Sequence, residues 1–290
     1  MSDSAFGTSN VLGIAWGNNT WVAVGRDGKM AYSTDGASWT AVSNSTFGNH
    51  LIDDIAFNNN MFIAVGHNSR MASSTDGRTW TALDKAPFDA NAIAFGGGRW
   101  VIVSGQGKTA YSTDVSTWTT VSAGGIFGTS MSTGSSAIYA IAYGNNRFVI
   151  AGDGGRMAYS SNGESWTAVA NSTFPSGGQG SSINSIVYAN NRFVAVGSRG
   201  RAYSSDGVTW TAANLTNSGF TSTNNNGVVF GNNRWVIVRD AGKIGYSTDG
   251  ISWTAVANSG FGTTAINDVA YGNGRFVAVG NSGKIAYCDW

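Results

Sequence analysis

The 290-residue chain contains one cysteine, Cys288, two prolines, two histidines and one glutamate, Glu164. A lone thiol excludes an intramolecular disulfide framework and a cysteine-built zinc site. Charged residues are only 11% of the chain, against roughly 25% in an average globular protein. Lys plus Arg is 17 and Asp plus Glu is 16, leaving a net charge of +1. Phosphate binding needs a concentrated basic excess, so nucleic acid is excluded as the main partner. No apolar run approaches the roughly 18 residues of a spanning helix. Residues 1–7 have neither the basic nor the apolar region of a conventional signal peptide. The chain therefore reads as soluble, with no membrane span; the locations left open are the cytoplasm, export by an unconventional route, or carriage on a particle.

What is present is repetition, and 41 glycines to turn it. The segment Ile14-Ala15-Trp16-Gly17 recurs as Ile55-Ala56-Phe57, Ile93-Ala94-Phe95 and Ile141-Ala142-Tyr143, then as Ile186-Val187-Tyr188, Val228-Val229-Phe230 and Val269-Ala270-Tyr271. The steps between copies are 41, 38, 48, 45, 42 and 41 residues. Within a copy, runs of four to six residues rich in Val, Ile, Tyr and Phe alternate with Asn-Asn, Gly-rich and Asp-Gly turns. That is the pattern of strands joined by tight hairpins. Seven copies of four short strands, about 41 residues each, predict an all-β, seven-bladed β-propeller of four-stranded antiparallel blades. It fills residues 1–290 as one domain, with repeats at about 8–48, 49–88, 89–127, 128–174, 175–220, 221–261, and 262–290 plus 1–7. The first and last copies resemble the middle ones, which favours a closed ring over a capped solenoid. The seventh copy stops where its outer strand should begin, and only residues 1–3 are at hand to supply it. Three strands and an exposed edge are expected there, a candidate contact for protein partners or for self-association.

The third turn of six copies has the form Ser-x-Asp-x-x-x-Trp. It carries Asp35 and Trp39, Asp76 and Trp80, Asp114 and Trp118, Asn162 and Trp166, Asp206 and Trp210, and Asp249 and Trp253. Asn162 stands in place of the Asp in the fourth copy, and Val115 in place of the Gly in the third. This turn resembles the Asp-box (BNR) motif of sialidase-like propellers, shortened by one residue between Asp and Trp. The resemblance implies structural turns on the face away from the ligand site, the Asp capping its hairpin and the Trp packing on neighbouring strands. It also resembles the seven-bladed propeller lectins, which place sugars between neighbouring blades.

The sialidase-like activity implied by the motif needs a Tyr nucleophile backed by a Glu, an arginine cluster and an acid/base Asp. Glu164 lies inside an Asp-box turn, so the Tyr/Glu pair cannot be built on the ligand face. Other glycosidases use two carboxyl groups flanking the bond. Asp53 and Asp54 are adjacent on a strand, which sends them to opposite faces. His50 and His67 both fall in loops. No G-x-S-x-G, P-loop or H-E-x-x-H string is present, and no acidic cluster has calcium-loop spacing. Neither a catalytic residue, a metal site nor a cofactor is expected.

Binding residues are sought on the loops. The second turn of every copy ends in a cation: Lys29, Arg70, Lys108, Arg156, Arg201, Lys243 and Lys284. Spread around a ring, these suit seven shallow sites or one extended acidic polymer better than one small anion, or they serve to keep a near-neutral surface soluble. A second ring opens the innermost strands at the channel mouth: Asp53, Asn91, Asn184, Asn226 and Asn267, interrupted by Leu12 and Tyr139. Such groups can bond sugar hydroxyls or satisfy loop backbone. One phenylalanine per connection (Phe6, Phe47, Phe88, Phe127, Phe174, Phe220 and Phe261) is placed to plug the gaps between blades. The connections 122–137, 170–182 and 214–226 are long and rich in Gly, Ser and Asn, so a dominant site would be framed by blades three to six.

The expectation is a non-catalytic recognition module, a lectin whose repeated weak glycan sites act by avidity. Alternatives are a structural or adhesive propeller of a bacterial or phage particle acting as a protein-interaction disc, and a divergent sialidase-like glycoside hydrolase.

Overall fold

A computed structural model describes residues 5–123, 125–127, 136–175, 181–213 and 224–290. The first blade pairs Val11–Gly17, Thr20–Gly25, Met30–Ser33 and Thr40–Ala41, antiparallel and in sequence order. The second strand is apolar on both faces because neighbouring blades cover both, and Trp21, Val22, Ala23 and Val24 are all buried. The first hairpin turns on Asn18 and Asn19 at φ 45° and 55°. That positive-φ pair is the type I′ geometry that matches strand twist. Asn-Asn pairs repeat it at 59–60, 145–146, 190–191 and 232–233.

Six sheets have four strands. The seventh, Ile266–Gly272, Arg275–Gly280 and Ile285–Cys288, has three among the described residues. The seven-bladed architecture expected from the repeat is thus present. Residues 1–4, where a fourth strand was sought, lie outside the described residues.

The core is divided among the blade-to-blade seams. At the first seam Val22, Val24 and Met30 of one blade meet Ile55, Phe62, Ala64, Ala72 and Trp80 of the next. Phe47 wedges into the same cluster from the connection. Phe6, Phe88, Phe127, Phe174 and Phe261 do likewise at other seams; Phe220 lies outside the described residues. The ring closes because Val277, Val279 and Ile285 pack on Val11, Ile14, Trp21 and Ala23. Gly272 ends the last inner strand against the Trp16 ring, and a Cβ there would collide with the indole.

The third turns are hydrogen-bonded units. Asp35 Oδ1 accepts from the Ala37 and Ser38 amides, each at 2.8 Å, and Ser33 Oγ accepts from Gly36 N at 2.8 Å. These amide donors hold the Asp35 carboxyl down at about 2. Asn162 makes the same two bonds through its amide oxygen. Val115 adopts φ 60° where other copies have glycine. No helix among the described residues is long and apolar enough to cross a membrane.

Candidate functional site at the channel mouth and the last blade

Inner strands from all seven blades line one mouth of the central channel, around a cavity of about 380 Å³. Leu12, Asp53, Asn91, Tyr139, Asn184, Asn226 and Asn267 stand there as one ring. The four asparagines share a job. Asn91 Nδ2 donates to Ile138 O at 3.0 Å, Asn184 to Asn225 O at 2.9 Å, Asn226 to Ile266 O at 2.8 Å and Asn267 to Val11 O at 2.7 Å. Each bond crosses to the next blade, and the last closes the ring. The side chains are inter-blade staples.

Asp53 and Asp54 do not diverge as strand alternation predicts. A bulge between Ile52 and Asp54 breaks the register, and both residues border the cavity. A bulge re-aims consecutive side chains, which the period-two rule cannot anticipate. Asp268 joins them from the seventh blade. Three acidic residues therefore border a mouth where a proton-transfer pair was not expected, with Asp54 near enough for its charge to act on both Asp53 and Asp268. Asp54 Oδ2 accepts from Ile93 N of the third blade at 2.9 Å, and Asp268 Oδ2 from Ile14 N of the first at 3.0 Å. Burial pushes Asp268 up to about 7, helped by the Asp54 charge, and pushes Asp54 up to about 6. Burial also pushes Asp53 up to about 7, opposed by His67. His67 Nε2 lies 3.6 Å from Asp53 Oδ2.

In four blades the residue opening the second turn faces this ring, a pairing that the sequence reading missed. His67 faces Asp53, Asp240 Oδ1 accepts from Asn226 at 2.9 Å, and Asn281 Oδ1 accepts from Asn267 at 2.9 Å. Tyr139, 38% exposed, is pushed up to about 12 by burial of its hydroxyl and by Asp153. The signal was a recurrent polar residue at one position, visible only once the two rings are superposed. No group of three His, Cys, Asp or Glu side chains that could hold a metal occurs among the described residues.

The seven turn-ending cations do not form one surface. Lys29 Nζ donates to Phe6 O at 2.8 Å, Arg70 to Thr46 O at 2.9 Å, Arg156 to Phe127 O at 3.1 Å and Lys284 to Phe261 O at 3.0 Å. Each holds the connection that leads into its own blade. Arg201 is buried, with Nε on Asn225 Oδ1 at 3.3 Å and its guanidinium over Trp253. Burial, with Arg239 beside it, lowers it to about 10. Lys108 and Lys243 are exposed.

The opposite face carries an arginine set that the sequence reading also missed. Arg99, Arg147, Arg192, Arg234 and Arg275 open five second strands and stack over Tyr111, Tyr159, Tyr203, Tyr246 and Tyr287 of their own blades. Arg147, Arg192 and Arg275 donate to the carbonyls of Asp206, Asp249 and Asp35 in the following blade. Arg99 instead pairs with Glu164. The third-turn aspartates thus anchor seams through their backbone as well as capping hairpins.

Beside the seventh blade lies an apolar slot of about 340 Å³. It borders the outer edge of Ile285–Cys288, which among the described residues pairs with Arg275–Gly280 alone. Tyr287 is 51% exposed. Trp290, set apart from the repeats by its position, packs its ring 6.0 Å from Phe276 and 5.3 Å from Tyr246. Asp289 binds Arg275 through both carboxylate oxygens. The loops expected to frame a dominant site fall largely on 124, 128–135, 176–180 and 214–223, outside the described residues.

No protein-family model matches the chain, and no curated protein matches it in sequence. Solved structures do match in shape. YCF48 from Cyanidioschyzon merolae superposes with a TM-score of 0.70 at 15% identity, over 96% of this chain and 95% of that one. YCF48 bound to a D1 peptide gives 0.72 at 14%, over 97% and 92%. A catalytically inactive virginiamycin B lyase from Staphylococcus aureus with quinupristin gives 0.77 at 9%, over 97% and 94%. At such identities the likeness is one of fold, and the fold is the seven-bladed β-propeller.

Proposed function

We propose that this propeller is a non-catalytic recognition module that binds protein, with the uncovered edge of its seventh blade as the docking element. One observation carries the reading: a strand without an outer partner among the described residues, beside an apolar slot. An edge strand offers a row of N–H and C=O groups as a template for another strand, and apolar pockets beside it supply selectivity. YCF48 bound to a D1 peptide is a precedent for peptide binding on this fold. The lectin reading loses support because the ring amides already donate to backbone, and four ring cations already hold connections.

The test is selection from a displayed peptide library against the protein and against Tyr287→Pro, with a glycan array in parallel. Val42 N donates to Met30 O across the outer edge of the first blade. By strand alternation the Tyr287 N–H faces outward in the same way. Proline there blocks docking and spares the inner ladder. Peptides that bind the wild type and not the variant support the proposal. Saccharide-competable array binding without any edge-dependent peptide overturns it.

A hydrolytic second reading is favoured by the acids at the channel mouth, since carboxyls held near neutrality suit general acid catalysis. Turnover of a fluorogenic glycoside, lost in Asp268→Asn, would establish it.

A further inference from the structure

Taking the docking role of the last blade as given, we infer that its occupant is an extended, uncharged peptide in which an aromatic residue is followed by Thr, a small residue and an aliphatic one. Six blades carry their own outer strand and display what such an edge holds. Those strands are preceded and continued as Trp39-Thr40-Ala41-Val42, Trp80-Thr81-Ala82-Leu83, Trp118-Thr119-Thr120-Val121, Trp166-Thr167-Ala168-Val169, Trp210-Thr211-Ala212-Ala213 and Trp253-Thr254-Ala255-Val256. Residues 1–4 lie outside the described residues.

The slot matches the same surroundings residue by residue. It is bordered by Val236, Ile244, Val256, Phe276, Ala278 and Ala286. Their equivalents at the first seam are Val22, Met30, Val42, Phe62, Ala64 and Ala72, the cluster that holds Trp80. Where the outer strand is present, Met30 and Ala72 are buried; Ile244 and Ala286 are only half-buried. Cys288 repeats the contrast, half-buried where Ser33, Ser74 and Ser247 are buried. Among the described residues, the last blade therefore has no cover at the positions that an outer strand and its indole cover elsewhere. Trp290 stands at the rim, against Phe276, and leaves the floor over Ile244 and Ala286 open.

Register follows from the filled blades. Ala31 faces Ala41 and Tyr32 faces Thr40, and Val42 N donates to Met30 O at 2.9 Å. On the seventh blade the peptide's small residue then faces Ala286, its Thr faces Tyr287, and its aliphatic residue donates to Ile285 O. No charged side chain borders the slot, so an ionised residue entering it would be left unpaired against apolar walls.

The probe is the synthetic peptide Gly-Ala-Ser-Trp-Thr-Ala-Val-Ser, residues 36–43 of this chain, labelled with fluorescein and followed by anisotropy on the full chain. A second readout is iodoacetamide labelling of Cys288, the single thiol. We expect saturable binding, a loss of about tenfold or more when the peptide's Trp is replaced by Ala, slower Cys288 labelling in its presence, and no binding to a folded Tyr287→Pro variant. Failure of this peptide while other sequences bind in an edge-dependent manner overturns the inference and leaves the docking reading standing. Absence of any edge-dependent peptide overturns both. Binding that ignores Tyr287→Pro, or the Trp-to-Ala change, also overturns the inference.

Discussion

The channel-mouth acids make stability fall as pH rises, which is the reverse of the usual carboxylate effect. Asp268 accepts the Ile14 amide at the ring-closing seam, and burial pushes its carboxyl from the ordinary 3.8 to about 7. A group with a raised folded-state value binds its proton more tightly when folded, so the native state holds more protons than the unfolded one between pH 4 and 7. Unfolding free energy then declines with pH across that window. Each tenfold gain in proton affinity on folding corresponds to about 1.4 kcal/mol, so Asp268 alone costs the native state on the order of 4 kcal/mol by pH 8. Asp54, raised to about 6 by burial, adds to the slope. The third-turn aspartates act in a separate window. Asp35, held at about 2 by its amide donors, stabilises the fold above pH 4 and loses that contribution as pH falls through 2. Urea unfolding followed by tryptophan fluorescence should therefore show the highest midpoint near pH 4–5 and a decline towards pH 8. Asp268→Asn keeps an oxygen for Ile14 N and has no charge to desolvate. It should raise the midpoint at pH 8, leave it nearly unchanged near pH 4, and flatten the decline. A midpoint that climbs from pH 5 to 8, or a decline that Asp268→Asn leaves intact, would refute the reasoning.

Asn267→Ala removes bonds to Val11 O and Asn281 Oδ1 at the closing seam and should cost about 1–3 kcal/mol by thermal denaturation. Trp80→Ala, in a filled seam, should cost about 3–5 kcal/mol; Trp290→Ala, at the open rim, should cost clearly less in the same assay. Asp206→Asn should be nearly silent at pH 7, because Asn162 already makes the same bonds, and equal destabilisation to Asp206→Ala would contradict this. Arg275→Ala frees Asp289 and the Asp35 carbonyl and should speed hydrogen exchange of residues 33–39 without altering that of the third blade.

The architecture was legible because the apolar pattern repeats with its turns, and repetition identifies strands that are too short to be read singly. The channel-mouth ring was legible for the same reason: Asn91, Asn184, Asn226 and Asn267 share one place in the copy. Their use was not, since an amide that bonds a sugar and one that bonds the next blade's carbonyl look alike in sequence. Asp53 and Asp54 were misplaced because a bulge leaves no mark in the order of residues. Arg201 looks like the other turn-ending cations, and only Asn225 and Trp253, both from the sixth repeat, distinguish it. The arginines opening the second strands repeat five times and could have been found by asking which charged residue recurs outside the turns.

Repetition in this chain marks what the ring needs at every seam, and function is better sought where a copy departs from the others. The connection-holding cations, the amide staples, the third-turn aspartates and the phenylalanine wedges all recur, and each bridges two elements that must meet for the circle to close. A ligand that touches only one of seven equivalent positions needs a difference between them. Two places supply it. At the channel mouth, Asp53, Asp54, Tyr139 and Asp268 interrupt an otherwise amide and aliphatic ring. At the seventh blade, Tyr287 and Cys288 replace the Tyr-Ser step that runs into an outer strand in most other blades, and the surface they leave is apolar and, among the described residues, uncovered. At the first, Asp54 and Asp268 are tied by backbone donors from neighbouring blades; the second has, among the described residues, no outer strand on its hydrogen-bonding edge. The second presents both an apolar floor and, among the described residues, backbone groups that another strand can pair with, and it is the one that sets this propeller apart from a plain seven-fold scaffold.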